Sequence, residues 1–261
     1  MDNYWENRQM RSSKAKYHTI EMNEKFMDDI EKSILGSKIY TGPNYINLER
    51  NCKTSIIIES MDSVSAIKKY VNNHIENDTV VLNFASYKYP GGKFLEGSCA
   101  QEECLCHESN LYNVLKGFPD YYDWNKKNLY KSLYLDRAIF SPNIIFVDEN
   151  FGYEKCNVIT CAAPNYSAAR KYRNVSKEEN LDVLKCRIDF VLSIAADQKQ
   201  KTLILGAFGC GVFGQDPYIV SSIFKTLLST KYKDVFDTVV FAIPKSNKND
   251  NLEAFLNVFN D

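Results

Sequence analysis

Residues 91–103 read GGKFLEGSCAQEE, and their types and spacing are those of a reactive site. Paired glycines, Gly91 and Gly92, allow a backbone to approach a ligand closely and turn its N–H groups toward an anion. The adjacent carboxylates Glu102 and Glu103, with Gln101 before them, could supply the proton needed to break a sugar acetal. An anion cradle beside an acid suits a substrate that carries both phosphate and sugar.

A second glycine loop lies toward the other end of the chain. Gly206-Ala207-Phe208-Gly209-Cys210-Gly211-Val212-Phe213-Gly214 follows a strand-like Thr202–Leu205, and Gly209 to Gly214 matches G-x-G-x-x-G. In a dinucleotide fold, an acidic residue about twenty positions on meets a ribose hydroxyl from the end of the next strand. Asp234 and Asp237 stand at that count but precede the strand expected at 239–243, at its wrong end. Only one further strand fits after the loop. A nicotinamide cofactor is therefore not expected, nor any other. The glycines still expose N–H groups near a helix start, where a diphosphate is favoured. Alone, the loop could be a plain strand-to-helix connection; together, the two loops could grip one diphosphate from both sides.

The elements that must position these loops read as an α/β alternation. Ile20, Phe26, Met27, Ile30 and Ile34 have the spacing of an amphipathic helix ending near Gly36, and Thr41-Gly42-Pro43-Asn44 reads as a turn. Strands are predicted at 55–58, 79–85, 144–147, 156–161, 202–205 and 239–243. Helices are predicted at 64–72, 98–115, 181–196, from about Asp216-Pro217, and at 252–259. Ser98 with Gln101 three residues later reads as a capping box, which places Glu102 and Glu103 in a first helical turn. The Tyr-, Lys- and Asp-rich stretch 117–137 reads as a surface excursion. Alternating strands and helices mean a layered α/β domain, with residues 1–50 a helical extension packed on a core of 51–261.

Composition narrows the function classes. A formal net charge of −1 over 261 residues leaves no electrostatic footprint for nucleic acid or an anionic membrane, so direct binding of either is not expected. No stretch has the length and apolarity of a membrane span or signal peptide. Eight cysteines in a chain this long do not resemble a secreted disulfide framework, and reduced thiols in the cytoplasm are the expectation. Cys99, Cys104, Cys106 and His107 invite a zinc reading, but a structural zinc site brings a second ligand pair, which this sequence lacks. No metal is expected.

The sequence resembles the macrodomain-fold poly(ADP-ribose) glycohydrolases of the compact bacterial and fungal branch. Their signature is three glycines, six to eight residues, then Gln-Glu-Glu. Gly91-Gly92-Lys93, seven residues, and Gln101-Glu102-Glu103 match it except at the third glycine. Val81–Ser86, Glu108–Tyr112, Ile159–Asn165, Leu205–Pro217 and Asn251–Phe255 are also similar to the family, so the likeness spans nearly the whole chain. It implies a mixed central sheet sandwiched between helices, with ADP-ribose or poly(ADP-ribose) on modified macromolecules as partner. It also implies cleavage of ribose–ribose bonds, with Glu103 as acid and Glu102 orienting the riboses. Gly91, Gly92 and the loop Gly209, Cys210, Gly211, Val212 and Phe213 would hold the diphosphate, and Gln101 and Gly206 would also be substrate-binding. Phe213 would pack beside a ribose, and Asn83 would lie near the terminal ribose. Lys93 departs from the pattern, either reaching a phosphate or crowding the cleft. Two rival readings are an ADP-ribose-binding module without turnover and a hydrolase acting on another acceptor, such as a protein side chain or a nucleobase.

Overall fold

The computed structural model describes residues 2–43, 46–48, 52–71, 78–147, 152–247 and 249–260. The turn expected at 41–44 and the helix end expected at Asn72 reach outside these residues. Helix α1 (Asp2–Gly36) ends where the sequence predicts, with non-helical dihedrals at Phe26 inside it. Of the apolar positions that defined it, Ile30 is buried while Ile20 and Met27 face solvent. Then come β1 (Lys38–Thr41), β2 (Ser55–Glu59), α2 (Ser63–Tyr70), β3 (Thr79–Phe84) and a 3₁₀ turn at Phe94–Glu96. Next are α3 (Gln101–His107), α4 (Leu111–Leu115), α5 (Pro119–Lys127), β4 (Arg137–Val147), β5 (Tyr153–Cys161) and α6 (Tyr166–Arg173). The chain ends with α7 (Lys177–Asp197), β6 (Thr202–Leu205), α8 (Pro217–Ser229), β7 (Thr238–Ala242) and α9 (Asn251–Asn260).

Among the described residues, seven strands form one mixed sheet in the order β1-β4-β5-β3-β6-β7-β2. Strands β5, β3, β6, β7 and β2 run parallel, while β4 joins β5 and β1 in antiparallel fashion. Both faces of the parallel part are covered, which explains its continuous apolar runs. Alternate residues choose sides: Val80, Leu82, Leu203, Leu205, Val239 and Phe241 pack toward α7, α8 and α9. Val81, Ile204, Val158 and Ala242 pack toward α1–α5. This is the sandwich that the resemblance implied. Strand β3 stands at its centre, so a loop leaving the end of β3 emerges over the middle of the sheet.

Strand β1 was not expected and β4 begins at Arg137 and not near 144, and three readings nearer the site also change. Residues 98–115 form two helices, because Asn110 leaves the helical path to pair with β4. Its N–H donates to Ile145 O at 3.1 Å and its Oδ1 accepts the Ile145 N–H at 3.0 Å. The N-cap is Ala100 and not Ser98; Glu103 reaches back to the Ala100 N–H, the half of a capping box that its carboxylate can supply. The stretch expected to be a surface excursion holds α5, whose Tyr121, Tyr122 and Asn125 are buried.

Candidate active site

Gln101 locks α3 to the end of β3. Its Oε1 accepts the Phe84 N–H at 2.8 Å, and its Nε2 donates to Leu82 O at 2.9 Å and Ser63 Oγ at 3.1 Å. These bonds satisfy strand-end groups that the sheet leaves open. They also fix the rotation of α3, which aims the two carboxylates that follow.

Glu102 is 3% exposed. Its Oε2 accepts the Ser86 N–H at 2.7 Å and its Oε1 accepts the Asn83 side-chain amide at 3.3 Å. Burial pushes the Glu102 carboxyl up to about 8; the Ser86 N–H opposes the shift and the Glu103 charge adds to it. Asn83 is fully buried behind this carboxylate. It also donates to Thr160 Oγ1, while its Oδ1 has no hydrogen-bond partner among the described residues. Its contacts are thus with Glu102 and not with an open cleft.

Glu103 is 7% exposed; its Oε1 accepts the Lys93 N–H at 2.9 Å and its Oε2 the Ala100 N–H at 3.0 Å. The loop 86–93 is therefore pinned to both acids, at Ser86 by Glu102 and at Lys93 by Glu103. Gly92 lies between them with φ +59°. Gly91, at φ +63°, is packed against Tyr112 and Cys106, so its missing side chain makes room for α3 and α4.

Lys93 has φ −111°, a conformation open to any residue, so lysine in place of the third glycine adds no backbone strain. Its side chain is 64% exposed and its ammonium lies 3.7 Å from Glu96. It does not line the neighbouring cavity. Neither the phosphate-reaching nor the crowding reading describes this geometry.

The loop continues onto α1. Arg8 donates to Glu96 O at 2.9 Å, Arg11 to Gly97 O at 2.8 Å and Ser12 to Leu95 O at 2.6 Å. Gly97, at φ +78°, passes so close that a Cβ would lie 2.1 Å from Arg8 O.

A cavity of about 610 Å³ opens beside the N-terminus of α3. Ala100 and Gln101 form one wall, Gly209, Gly211, Val212 and Phe213 another, and Phe84 and Ile243 its apolar floor. Among the described residues, the N–H groups of Gly211, Val212 and Phe213 meet no intramolecular acceptor, which leaves them for an anion. Gly211 has open space where a side chain would be. Gly206 is buried against Ala242 O and the Phe84 ring, and Gly206 and Cys210 stand outside the cavity lining. The loop is braced from α6, a helix that the sequence reading missed. Ser167 N–H donates to Phe213 O at 3.0 Å, and Gln215 pairs through both amide atoms with Asn180.

Phe213 meets Tyr134 edge-on at 6.1 Å, and Tyr134 stacks on Tyr87 at 4.3 Å. Tyr134 belongs to a run with positive φ at Tyr130, Lys131, Ser132 and Tyr134, strain that surrounding contacts must hold. Arg187, 1% exposed, supplies such contacts: it bonds Asp136 at 2.6 Å, Leu133 O at 3.4 Å and Ala162 O. The only sequence signal for this support was the density of tyrosines. Among the described residues, no group of three or more His, Cys, Asp or Glu side chains is placed to hold a metal ion, and no helix is long and apolar enough to cross a membrane.

Fold and site together define a macrodomain-like glycohydrolase. Residues 8–149 match the microbial-type PARG catalytic domain, and the chain belongs to that family. Among solved structures, it is similar to poly(ADP-ribose) glycohydrolase from Thermomonospora curvata, with 28% identity and a TM-score of 0.86 over 97% of this chain and 100% of that one. The same enzyme bound to the inhibitor ADP-HPD aligns with 28% identity and a TM-score of 0.84, over 96% of this chain and 99% of that one. The Deinococcus radiodurans enzyme in complex with ADP-ribose aligns with 30% identity and a TM-score of 0.79, over 88% of this chain and 96% of that one. No curated protein matches the sequence.

Proposed function

We propose that this glycohydrolase releases ADP-ribose from poly(ADP-ribose) with Glu103 as its general acid. The observation that carries this reading is the carboxylate pair pinned to both ends of one loop, on the helix whose Ala100 and Gln101 form one wall of the cavity. The terminal ADP-ribose lies in the cavity, its diphosphate on the free N–H groups of residues 211–213 and its distal ribose near Gly92. Glu103 gives its proton to the oxygen leaving toward the next unit. The C1–O bond breaks with its electron pair on that oxygen, and the sugar carbon gains oxocarbenium character beside the substrate's own phosphates. Water adds to the carbon and returns a proton to Glu103. Glu102, kept largely protonated near neutral pH by burial, orients the riboses through hydrogen bonds. One positioned acid contributes roughly 10²–10⁴-fold.

ADP-ribosylated macromolecules are the corresponding partners. All eight cysteines are unpaired, which supports placement in the reducing cytoplasm. The test is release of ADP-ribose from purified poly(ADP-ribose), with Glu103→Gln in parallel. Wild-type-like turnover by the variant would sink the assignment of the acid, and an inactive wild-type protein would sink the activity.

A further inference from the structure

We infer that Tyr89, flanked by Lys88 and Lys126, is a subsite for the leaving part of the polymer, where the adenine of the next unit stacks; this rests on the glycohydrolase reading above. Tyr89 is 50% exposed near the apex of the loop 86–93, whose ends are pinned by Glu102 and Glu103. Its carbonyl accepts the Gly92 N–H at 3.1 Å and its own N–H donates to Ser86 Oγ at 3.3 Å. Tyr89 is three positions from each of Ser86 and Gly92, so its Cα lies within about 11 Å of both. No residue of this loop lines the cavity that takes the terminal unit. Tyr89 is thus near the acids without being part of the cavity wall.

The chemistry of the bond says what must lie there. The departing oxygen belongs to the ribose of an adenosine diphosphate, so an adenine and two phosphates follow it within one sugar's width. An exposed ring offers a base a stacking face, and lysines beside it offer phosphates counter-charge. The Lys126 and Lys88 ammonium groups stand 5.3 and 5.9 Å from the Tyr89 ring centre. Helix α5, which carries Lys126, is fixed against the loop by the buried Asn125, which donates to Tyr87 O at 2.9 Å and accepts from Arg137 at 2.9 Å. Arg137 in turn lies over the half-exposed Trp124 ring at 4.1 Å, which extends the aromatic and cationic surface beyond Tyr89.

The experiment compares Tyr89→Ala and Tyr89→Phe with wild type on two substrates, poly(ADP-ribose) and ADP-ribose joined by an O-glycosidic bond to a small phenol, with calorimetric ADP-ribose binding alongside. Loss of one stacked base should lower kcat/KM on polymer about tenfold in Tyr89→Ala, more than on the phenol substrate. Tyr89→Phe, which keeps the ring, should retain polymer cleavage, and ADP-ribose affinity should hold in both. Equal losses on the two substrates would show a disturbed loop and overturn the subsite. Unchanged polymer kinetics in Tyr89→Ala would overturn it too while leaving the glycohydrolase reading intact. A wild-type protein that cleaves neither substrate would overturn both.

Discussion

A Cβ placed on Gly92 would lie 2.6 Å from Glu103 Oε1 and 2.9 Å from Glu102 Oε2. The two carboxylates close around a single hydrogen atom. Gly92→Ala must therefore displace the acids as well as strain a backbone at φ +59°. We expect turnover on polymer to fall by at least about a hundredfold, a misplacement effect, while stability drops by about 1–3 kcal/mol. Steady-state kinetics beside thermal melting checks this; a folded variant with near-native turnover would show that the pair tolerates being moved.

Glu103→Gln should abolish hydrolysis, with ADP-ribose binding largely retained. The amide loses the transferable proton, worth about 10²–10⁴-fold. It also turns an N–H₂ toward either the Lys93 or the Ala100 N–H, so two donors face each other where a carboxylate accepted both. A small fall in melting temperature should accompany the loss of turnover, and calorimetry should find affinity within a few-fold of wild type.

Glu102 makes stability depend on pH. Its folded pKa, about 8, lies above the unfolded value near 4.3, so between these values the folded state holds a proton that the unfolded chain has lost. Its contribution is therefore fully present below about pH 4 and is lost as pH rises toward 8. In Glu102→Gln the amide stays neutral throughout and can donate to the unpartnered Asn83 Oδ1. The variant should melt higher than wild type at pH 8 and near it at pH 4, while losing turnover. Parallel melting curves at the two pH values would refute this.

Lys93→Gly should leave ADP-ribose affinity, its salt dependence and polymer turnover within about twofold of wild type. The side chain sits in solvent beside Glu96, a surface pairing of little energy. Added backbone freedom should lower stability by less than about 1 kcal/mol. A clear change in affinity or rate would place the ammonium or the missing glycine in the site.

Gly211→Val separates ligand approach from folding. A Cβ there meets nothing within 4 Å, so the melting temperature should stay near wild type. The branched side chain would nevertheless stand at the cavity wall beside the free N–H groups, and ADP-ribose affinity should fall at least tenfold. Unchanged affinity in calorimetry would remove this loop from the anion site.

Periodicity and turn chemistry made most of the sheet legible: Thr202–Leu205 has the expected bounds, and β3, β7 and α9 shift by about a residue at their ends. The pairing of glycine loop and carboxylates was legible because spacing alone fixes which groups leave β3 and which open α3. Burial decided by distant partners was not. Tyr121, Tyr122 and Asn125 lie in a stretch as polar as a surface loop, yet α5 is drawn inward by Tyr87 O and Arg137 from other elements. Lys93 was unreadable for a similar reason. Its exposure follows from a peptide N–H captured by Glu103 ten residues on, which no local pattern announces.

The contact between Gly97 and Arg8 has a kinetic consequence. The loop ending at Gly97 takes its final shape against a helix more than eighty positions earlier in the chain. Such closure is slow relative to helix or hairpin formation, and little within the loop compensates for it beforehand. Refolding should therefore recover secondary structure before activity, with the site maturing in the step that docks α1. A stop-flow trace in which circular dichroism and turnover return together would mean that the loop finds its shape without the helix.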